Sequence, residues 1–210
     1  MTDYLDETID LYNSLAEDYA KQASDRGPFM QRKKFVSMLQ SGAKVLDVGC
    51  GSGRDCAFFS EKGFKVTGID RSEKLLELAR ISAPKAKFYS ADMRHLSFEK
   101  NMFDGIWSCA SVVHIKHKEM QQVFNSFYTI LKSGGVLYIH VKKGEGEGYL
   151  EEPSMPGKQR FYSFFTTSLL KKYCEIAGFS DIEVIDVGFT EAYANGKRSK
   201  EWVDCFAKKV

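Results

Sequence analysis

The residues best placed to do chemistry in this 210-residue chain open at Asp47-Val48-Gly49-Cys50-Gly51-Ser52-Gly53. Val45, Leu46 and Val48 form a short apolar run of the kind a parallel strand covered on both faces shows. Asp47 interrupts that run, and Gly49, Gly51 and Gly53 follow on alternate positions. Without a Cβ, glycines take unusual backbone angles and let a ligand lie against the main chain. Arg54 to Lys62 then reads as a helix with Ala57, Phe58 and Phe59 turned inward. Strand, glycine turn, helix is the predicted order, with backbone N–H groups at the helix start open to an anionic or polar ligand. The spacing is not the dinucleotide G-x-G-x-x-G, whose third glycine would fall on Arg54 or Cys56.

The elements that must position this turn follow from periodicity. Leu5, Ile9, Tyr12, Leu15, Ala16 and Tyr19 recur at spacings of three and four, predicting an amphipathic helix that Gly27-Pro28 breaks. A second helix carries Phe29 to Leu39. After the turn, Phe64–Asp70 is a strand, Ser72 caps a helix through Ala79, and Lys87–Ser90 is a short strand. Phe103–Ser108 is the fourth strand, and Met120, Val123, Phe124, Phe127, Ile130 and Leu131 share one helical stripe that Gly134-Gly135 ends. Val136–Val141 is the next strand. The glycine- and glutamate-rich stretch from Gly144 to Gly157 reads as a long loop of the kind that serves as a lid or binding loop. A helix from Leu169 to Ala177 precedes two strands, Ile182–Val187 and Trp202–Ala207, expected to be antiparallel neighbours. The alternation predicts an α/β fold, with a mostly parallel sheet covered by helices on both faces. One domain over 1–210 is expected, with 1–42 as a helical lid and a substrate-side loop near 143–165.

Composition narrows the class. At 43% hydrophobic and 28% charged, nothing suggests a disordered or fibrous chain, and a net charge of +2 does not announce a nucleic-acid binder. No run has the length of a membrane span, and the polar, acidic start shows no secretory signal. Cys50, Cys56, Cys109, Cys174 and Cys205 are odd in number without a close CxxC pair, so they read as free thiols of a cytoplasmic protein, with no metal site.

The run D-V-G-C-G-S-G resembles the first motif of class I S-adenosylmethionine-dependent methyltransferases. The resemblance covers roughly Tyr12 to the C-terminus and is most specific from Val45 to His114. It implies a Rossmann-like sheet of seven strands, the last inserted antiparallel between the fifth and sixth, and S-adenosylmethionine as methyl donor, leaving S-adenosylhomocysteine. Asp47, Gly49, Gly51 and Gly53 would form the cofactor loop. Asp70, after V-T-G-I, would accept from both ribose hydroxyls, or else serve as a helix-entry carboxylate near Ser72. Arg71 would lie over the adenine face or in solvent. Asp92 would accept from the adenine amino group with the Met93 N–H on a ring nitrogen, or cap the turn from His95 to Phe98. Cys109, at the end of the fourth strand, would sit at the methionine end. Tyr12 and Tyr19, in Y-N-S-L-A-E-D-Y, resemble a pattern placed over the cofactor, though a buried helical stripe explains them equally.

Methyl transfer from a sulfonium requires alignment and exclusion of water more than a strong catalytic group. His114 is the best-placed proton acceptor, with packing as the alternative. Lys142, Lys143, Arg160, Phe161, Tyr162, Phe164 and Phe165 gather basic and aromatic groups around a small, anionic or aromatic acceptor, or anchor a loop. A small-molecule methyltransferase is the leading expectation. An RNA methyltransferase of the wobble-uridine type and a cofactor-binding regulator without turnover are the alternatives.

Overall fold

The computed structural model describes residues 3–23, 27–152, 155–189 and 201–210. Seven strands form one sheet: β1 (Lys44–Val48), β2 (Lys65–Asp70), β3 (Lys87–Ser90), β4 (Phe103–Cys109), β5 (Leu131–Lys142), β8 (Ser180–Phe189) and β9 (Glu201–Lys208). A separate two-stranded hairpin, β6 (Glu147–Glu152) and β7 (Met155–Ser163), lies between β5 and β8 in sequence. The sheet order is β3-β2-β1-β4-β5-β9-β8. The first five strands are mutually parallel, and β9 runs antiparallel to both β5 and β8, as the resemblance implied.

Both faces of the central strands are buried, which is why they read as continuous apolar runs. Successive side chains still divide between two cores. Leu46, Val48, Ile106, Leu137 and Ile139 pack with helix α6 (His117–Ile130). Val45, Trp107, Val136 and Tyr138 pack with Phe35 of α3 (Phe29–Ser37) and Phe59 of α4 (Arg54–Glu61). The stripe of α6 is the one expected: Met120, Val123, Phe124, Phe127 and Ile130 are all buried. Ser72 caps α5 (Glu73–Ser82), its Oγ accepting from Leu75 N–H (3.2 Å), and Thr166 caps α7 (Thr167–Ala177) in the same way.

Four expectations change. The opening helix is two helices, α1 (Asp6–Ser14) and α2 (Ala16–Ala23), because Leu15 leaves helical geometry where Ser14 Oγ donates to Leu11 O (2.9 Å). In α4 the buried residues are Asp55, Cys56 and Phe59, while Ala57 and Phe58 are half-buried. Gly134-Gly135 does not end α6, which stops at Ile130. The pair lies within β5, where the register with β4 shifts. The long loop is largely the β6–β7 hairpin, its glutamates and glycines carrying poor strand propensity while Tyr149 pairs with Phe161 across it. The connector expected at 190–200 lies outside the described residues.

Phe127 is fully buried where α6 meets the sheet, so Phe127→Ala should cost about 3–5 kcal/mol, read as a lower urea midpoint at unchanged slope.

Candidate functional site

The glycine turn is tied to the end of β2 by its own backbone. Gly49 and Cys50 N–H both donate to Ile69 O (2.8 and 2.9 Å). Gly51 N–H donates to Asp70 Oδ2 and Ser72 N–H to Asp70 Oδ1, each at 2.9 Å. Gly53 N–H donates to Cys50 O (3.0 Å). These N–H groups are therefore spent on the fold. The turn presents a floor against which a ligand lies, not the anion cradle its glycines suggested. Across it, Ser111 Oγ donates to Val48 O (2.6 Å), and a Cβ on Gly49 would stand 2.2 Å from Ser111 Cβ.

Above that floor is a cleft. Gly49, Gly51, Asp70 and Arg71 form one side, and Asp92, Met93, Cys109 and Ala110 the other. Leu5, Thr8, Ile9 and Tyr12 of the N-terminal segment, with Tyr19, close it. A smaller recess at the same turn is lined by Asp47, Tyr19, Arg54 and Cys109. The closing segment is clasped by charge: Arg71 pairs with Asp6 (2.9 Å) and Asp3, and Arg94 pairs with Asp3, Asp92 (2.6 Å) and Glu119 (3.3 Å). Tyr4 O–H donates to Glu119.

Burial pushes the Asp70 carboxyl up, against the pull of its backbone N–H donors. Burial also pushes Asp92 up, but the Arg94 guanidinium overcomes it and holds this carboxyl below the usual range. Beneath the turn, burial and then Asp55 drive Asp47 up, so that it is the more readily protonated of the two. Asp55 is held low despite burial, because Arg54 and Arg32 flank it and Trp107 Nε1–H donates to it (3.0 Å). Burial lifts the Cys109 thiol to about 12, which leaves it no thiolate character.

A second cavity of about 140 Å³ adjoins the cleft. The two share Tyr12, Tyr19, Cys109, Ala110 and His114 as their dividing wall. Its own lining is Arg54, His140, Lys142, Arg160, Tyr162 and Trp202. Arg160 and Lys142 are 2% and 3% exposed, so the chamber holds buried cations as well as aromatic faces. Arg160 donates to Tyr12 Oη (2.6 Å), and Tyr12 Oη lies 3.1 Å from His114 Nε2. His114 Nδ1 lies 2.7 Å from Phe161 O. A carbonyl only accepts, so in the neutral ring the proton sits on Nδ1 and Nε2 accepts from Tyr12 O–H.

The family model described as "Methyltransferase domain" matches residues 45–135, which contain the turn, Asp70, Asp92 and His114. Phosphoethanolamine N-methyltransferase 1 of Triticum aestivum is 32% identical over 174 residues, covering 76% of this chain and 33% of its own length. Over residues 45–135 the chain thus carries a match to a methyltransferase domain. It spans about half or less of the length of the curated relatives it was compared with. Among solved structures, phosphoethanolamine N-methyltransferase 2 of Haemonchus contortus with S-adenosyl-L-methionine superposes with a TM-score of 0.76 at 19% identity, over 100% of this chain and 60% of that one. The 1,6-didemethyltoxoflavin-N1-methyltransferase of Burkholderia thailandensis, with bound 1,6-didemethyltoxoflavin and S-adenosylhomocysteine, gives 0.75 at 22% identity over 99% and 89%.

Of the residues singled out in the sequence, Tyr12, Tyr19, Gly49, Gly51, Asp70, Arg71, Asp92, Met93, Cys109 and His114 meet at the cleft, and Asp47 lines the recess beside it. Asp70 also does the local work offered as its alternative, while Asp92 caps a turn two residues earlier than the one expected at His95 to Phe98. Asp70 accepts from Ser72 N–H, and Asp92 caps the turn Met93–His95 by accepting from Arg94 N–H (2.9 Å). Arg71 is engaged by three carboxylates and is not left to solvent. Two residues are elsewhere. Gly53 caps α4, and a Cβ there would stand 2.9 Å from Ala79 Cα of α5, so it serves helix packing. Phe161 lines neither cavity: its ring packs edge-on against Tyr4 and Tyr149, and only its carbonyl reaches His114. Sequence reasoning missed His140, Asp204, Arg32 and Asp55. A histidine and a lysine closing the otherwise apolar VLYIHVK were the available signal.

Two outcomes follow. Gly49→Ala, at φ 69° and against Ser111, should lower the melting temperature and abolish calorimetric binding of S-adenosylhomocysteine. Asp3 and Asp92 have depressed folded pKa values, so their contribution is complete above the unfolded carboxylate range of about 3.9 and is lost as pH falls through the folded values. Hydrogen exchange should therefore show residues 3–14 opening in acid before the central strands do.

Proposed function

We propose that this chain transfers a methyl group from S-adenosylmethionine to a small acceptor carrying an anionic group. The carrying observation is the pair of adjoining cavities: an acidic cleft and a chamber with buried cations, meeting at Tyr12, Cys109, Ala110 and His114. The residues of the cleft fit the donor. A pyrophosphate would need the N–H groups that the glycine turn spends on Ile69 and Asp70, whereas a cationic nucleoside amino acid needs carboxylates and an uncharged floor. When bound, S-adenosylmethionine supplies a methyl group already activated by a positive sulfur. Asp70 would take the ribose hydroxyls, Asp92 and Met93 N–H the adenine edge, and Asp47 with Arg54 the amino-acid tail.

The chain's own part is alignment and exclusion of water. α1 and α2 act as the lid, α1 lying across the cleft under the clasp of Arg71 and Arg94, while α3, expected as part of the same lid over 1–42, packs into the core through Phe35. Tyr12 and Tyr19, ring centroids 5.0 Å apart, form the wall against which both ligands rest. Arg160 and Lys142 would hold a phosphate or carboxylate of the acceptor, placing its nucleophilic atom beside Ala110. The relatives named for phosphoethanolamine support a phosphorylated amine as first candidate and favour a small molecule over RNA. The five free cysteines support a reducing, cytoplasmic setting. Among the described residues no helix is long and apolar enough to cross a membrane.

Calorimetry with S-adenosylhomocysteine and transfer of labelled methyl to phosphoethanolamine and a panel of anionic amines, phenols and carboxylates test the reading. Micromolar cofactor binding with turnover is expected. Arg160→Ala should raise KM at least tenfold while leaving cofactor affinity within about twofold, the loss of one charge-assisted pair. Cofactor binding without turnover of any panel member would replace the enzyme with a sensor.

A further inference from the structure

The acceptor chamber contains an imidazole that the roles above leave unused. His140 lies near the end of β5, and its carbonyl accepts from Ala110 N–H (2.9 Å), which sets it beside the wall shared by the two cavities. Its Nδ1 is 2.6 Å from Asp204 Oδ1 on β9. Asp204 is fully buried and held on every side: Tyr138 O–H donates to the same oxygen (2.8 Å) and Gln31 Nε2–H to the other (2.6 Å). A carboxylate oxygen only accepts, so in the neutral ring Nδ1 carries the proton and Nε2 keeps a lone pair. Trp202 stacks on the ring at 4.3 Å and 15°, fixing its plane. Among the described residues Nε2 has no hydrogen-bond partner, and the ring lines the chamber.

His114 differs in kind. Its two nitrogens are closed on Phe161 O and Tyr12 O–H, so it meets the acceptor only after Tyr12 is displaced. His140 needs no such displacement. The carboxylate, oriented imidazole and open Nε2 form the arrangement that makes a histidine a general base.

Resting on the methyl-transfer reading, we propose that His140 is the proton acceptor for the methyl acceptor, an ammonium or hydroxyl group that must lose a proton before it can attack. The acceptor's N–H or O–H bond breaks, its electron pair stays on that nitrogen or oxygen as the nucleophile, and the proton bonds to His140 Nε2. Asp204 balances the charge the ring takes on, and the proton passes to water after turnover. The charged groups facing the ring across the chamber are Lys142 on its own strand, Arg160 from β7 and Arg54 from α4. Among the described residues, Tyr162 from β7, His114, and Tyr12 and Tyr19 from the lid complete the titratable lining of the chamber, with Cys109 at the end of β4.

The test uses the full chain with ¹⁵N-labelled imidazoles, saturated with S-adenosylhomocysteine. Long-range ¹H–¹⁵N spectra should show the neutral His140 ring with Nδ1 protonated and Nε2 bare. A proton on Nε2 overturns the proposal whatever the acceptor is. In turnover with phosphoethanolamine, or whichever panel compound accepts methyl, His140→Asn and His140→Gln should lower kcat roughly 100-fold, the scale of a lost general base. KM and S-adenosylhomocysteine affinity should stay within about twofold, showing an intact fold, and the acid limb of the wild-type pH profile should vanish. A kcat within threefold of wild type with that limb retained overturns the proposal. If the wild type methylates nothing in the panel, the methyl-transfer reading fails by itself, and the proton position in the spectrum still decides whether His140 is poised as a base.

Discussion

The structure depends on how closely the end of β1 approaches the ends of its two neighbours. On one side, successive N–H groups of the glycine turn enter Ile69 O and the Asp70 carboxylate. On the other, Ser111 Oγ donates to Val48 O and accepts from Ser108 Oγ (2.6 Å), so the residues after β4 are drawn against Gly49. No side chain fits at Gly49 in that embrace. The carboxyl ends of three parallel strands are thereby held in one plane, and every cleft residue that follows a strand takes its position from this junction.

Charge is distributed unevenly over the site. The cleft carries Asp70 and Asp92 together with Arg71, while the adjoining chamber carries Arg54, Lys142 and Arg160. Asp55 sits below between Arg32 and Arg54, a set in which removal of this one carboxylate leaves both guanidinium charges uncompensated. That set fixes the first turn of α4, and with it one cation of the chamber. The wall between the two cavities is made of the Tyr12 and Tyr19 rings, the His114 imidazole and the small residues Cys109 and Ala110.

Much of the fold was legible because the central strands and α6 obey simple rules. A doubly buried strand is a short apolar run, and a packed helix is a stripe at three and four, as Val45–Val48 and Met120–Ile130 show. The floor and sides of the cleft were legible because Gly49, Asp70, Arg71, Asp92, Cys109 and Ala110 stand at or just past strand ends. What escaped depended on contacts between distant segments. The β6–β7 hairpin has poor local propensity, and its strands are defined by pairing. The His140–Asp204 pair joins residues 64 apart in sequence through the antiparallel insertion of β9, which spacing alone does not announce. Gly53 and Phe161 lie outside the lining of both cavities for a related reason. Motif position says which backbone segment is near a ligand, not which way a side chain turns.

Tyr12 belongs to both cavities at once, and it lies in α1, whose start is clasped to Arg71 and Arg94 through Asp6 and Asp3. Whatever seats that helix over the cleft also sets the shape of the adjoining chamber. Ligands held in the two cavities would then be thermodynamically linked: the factor by which the first tightens the second's hold must equal the factor by which the second tightens the first's. One short helix and a pair of aromatic rings join the two cavities within one chain.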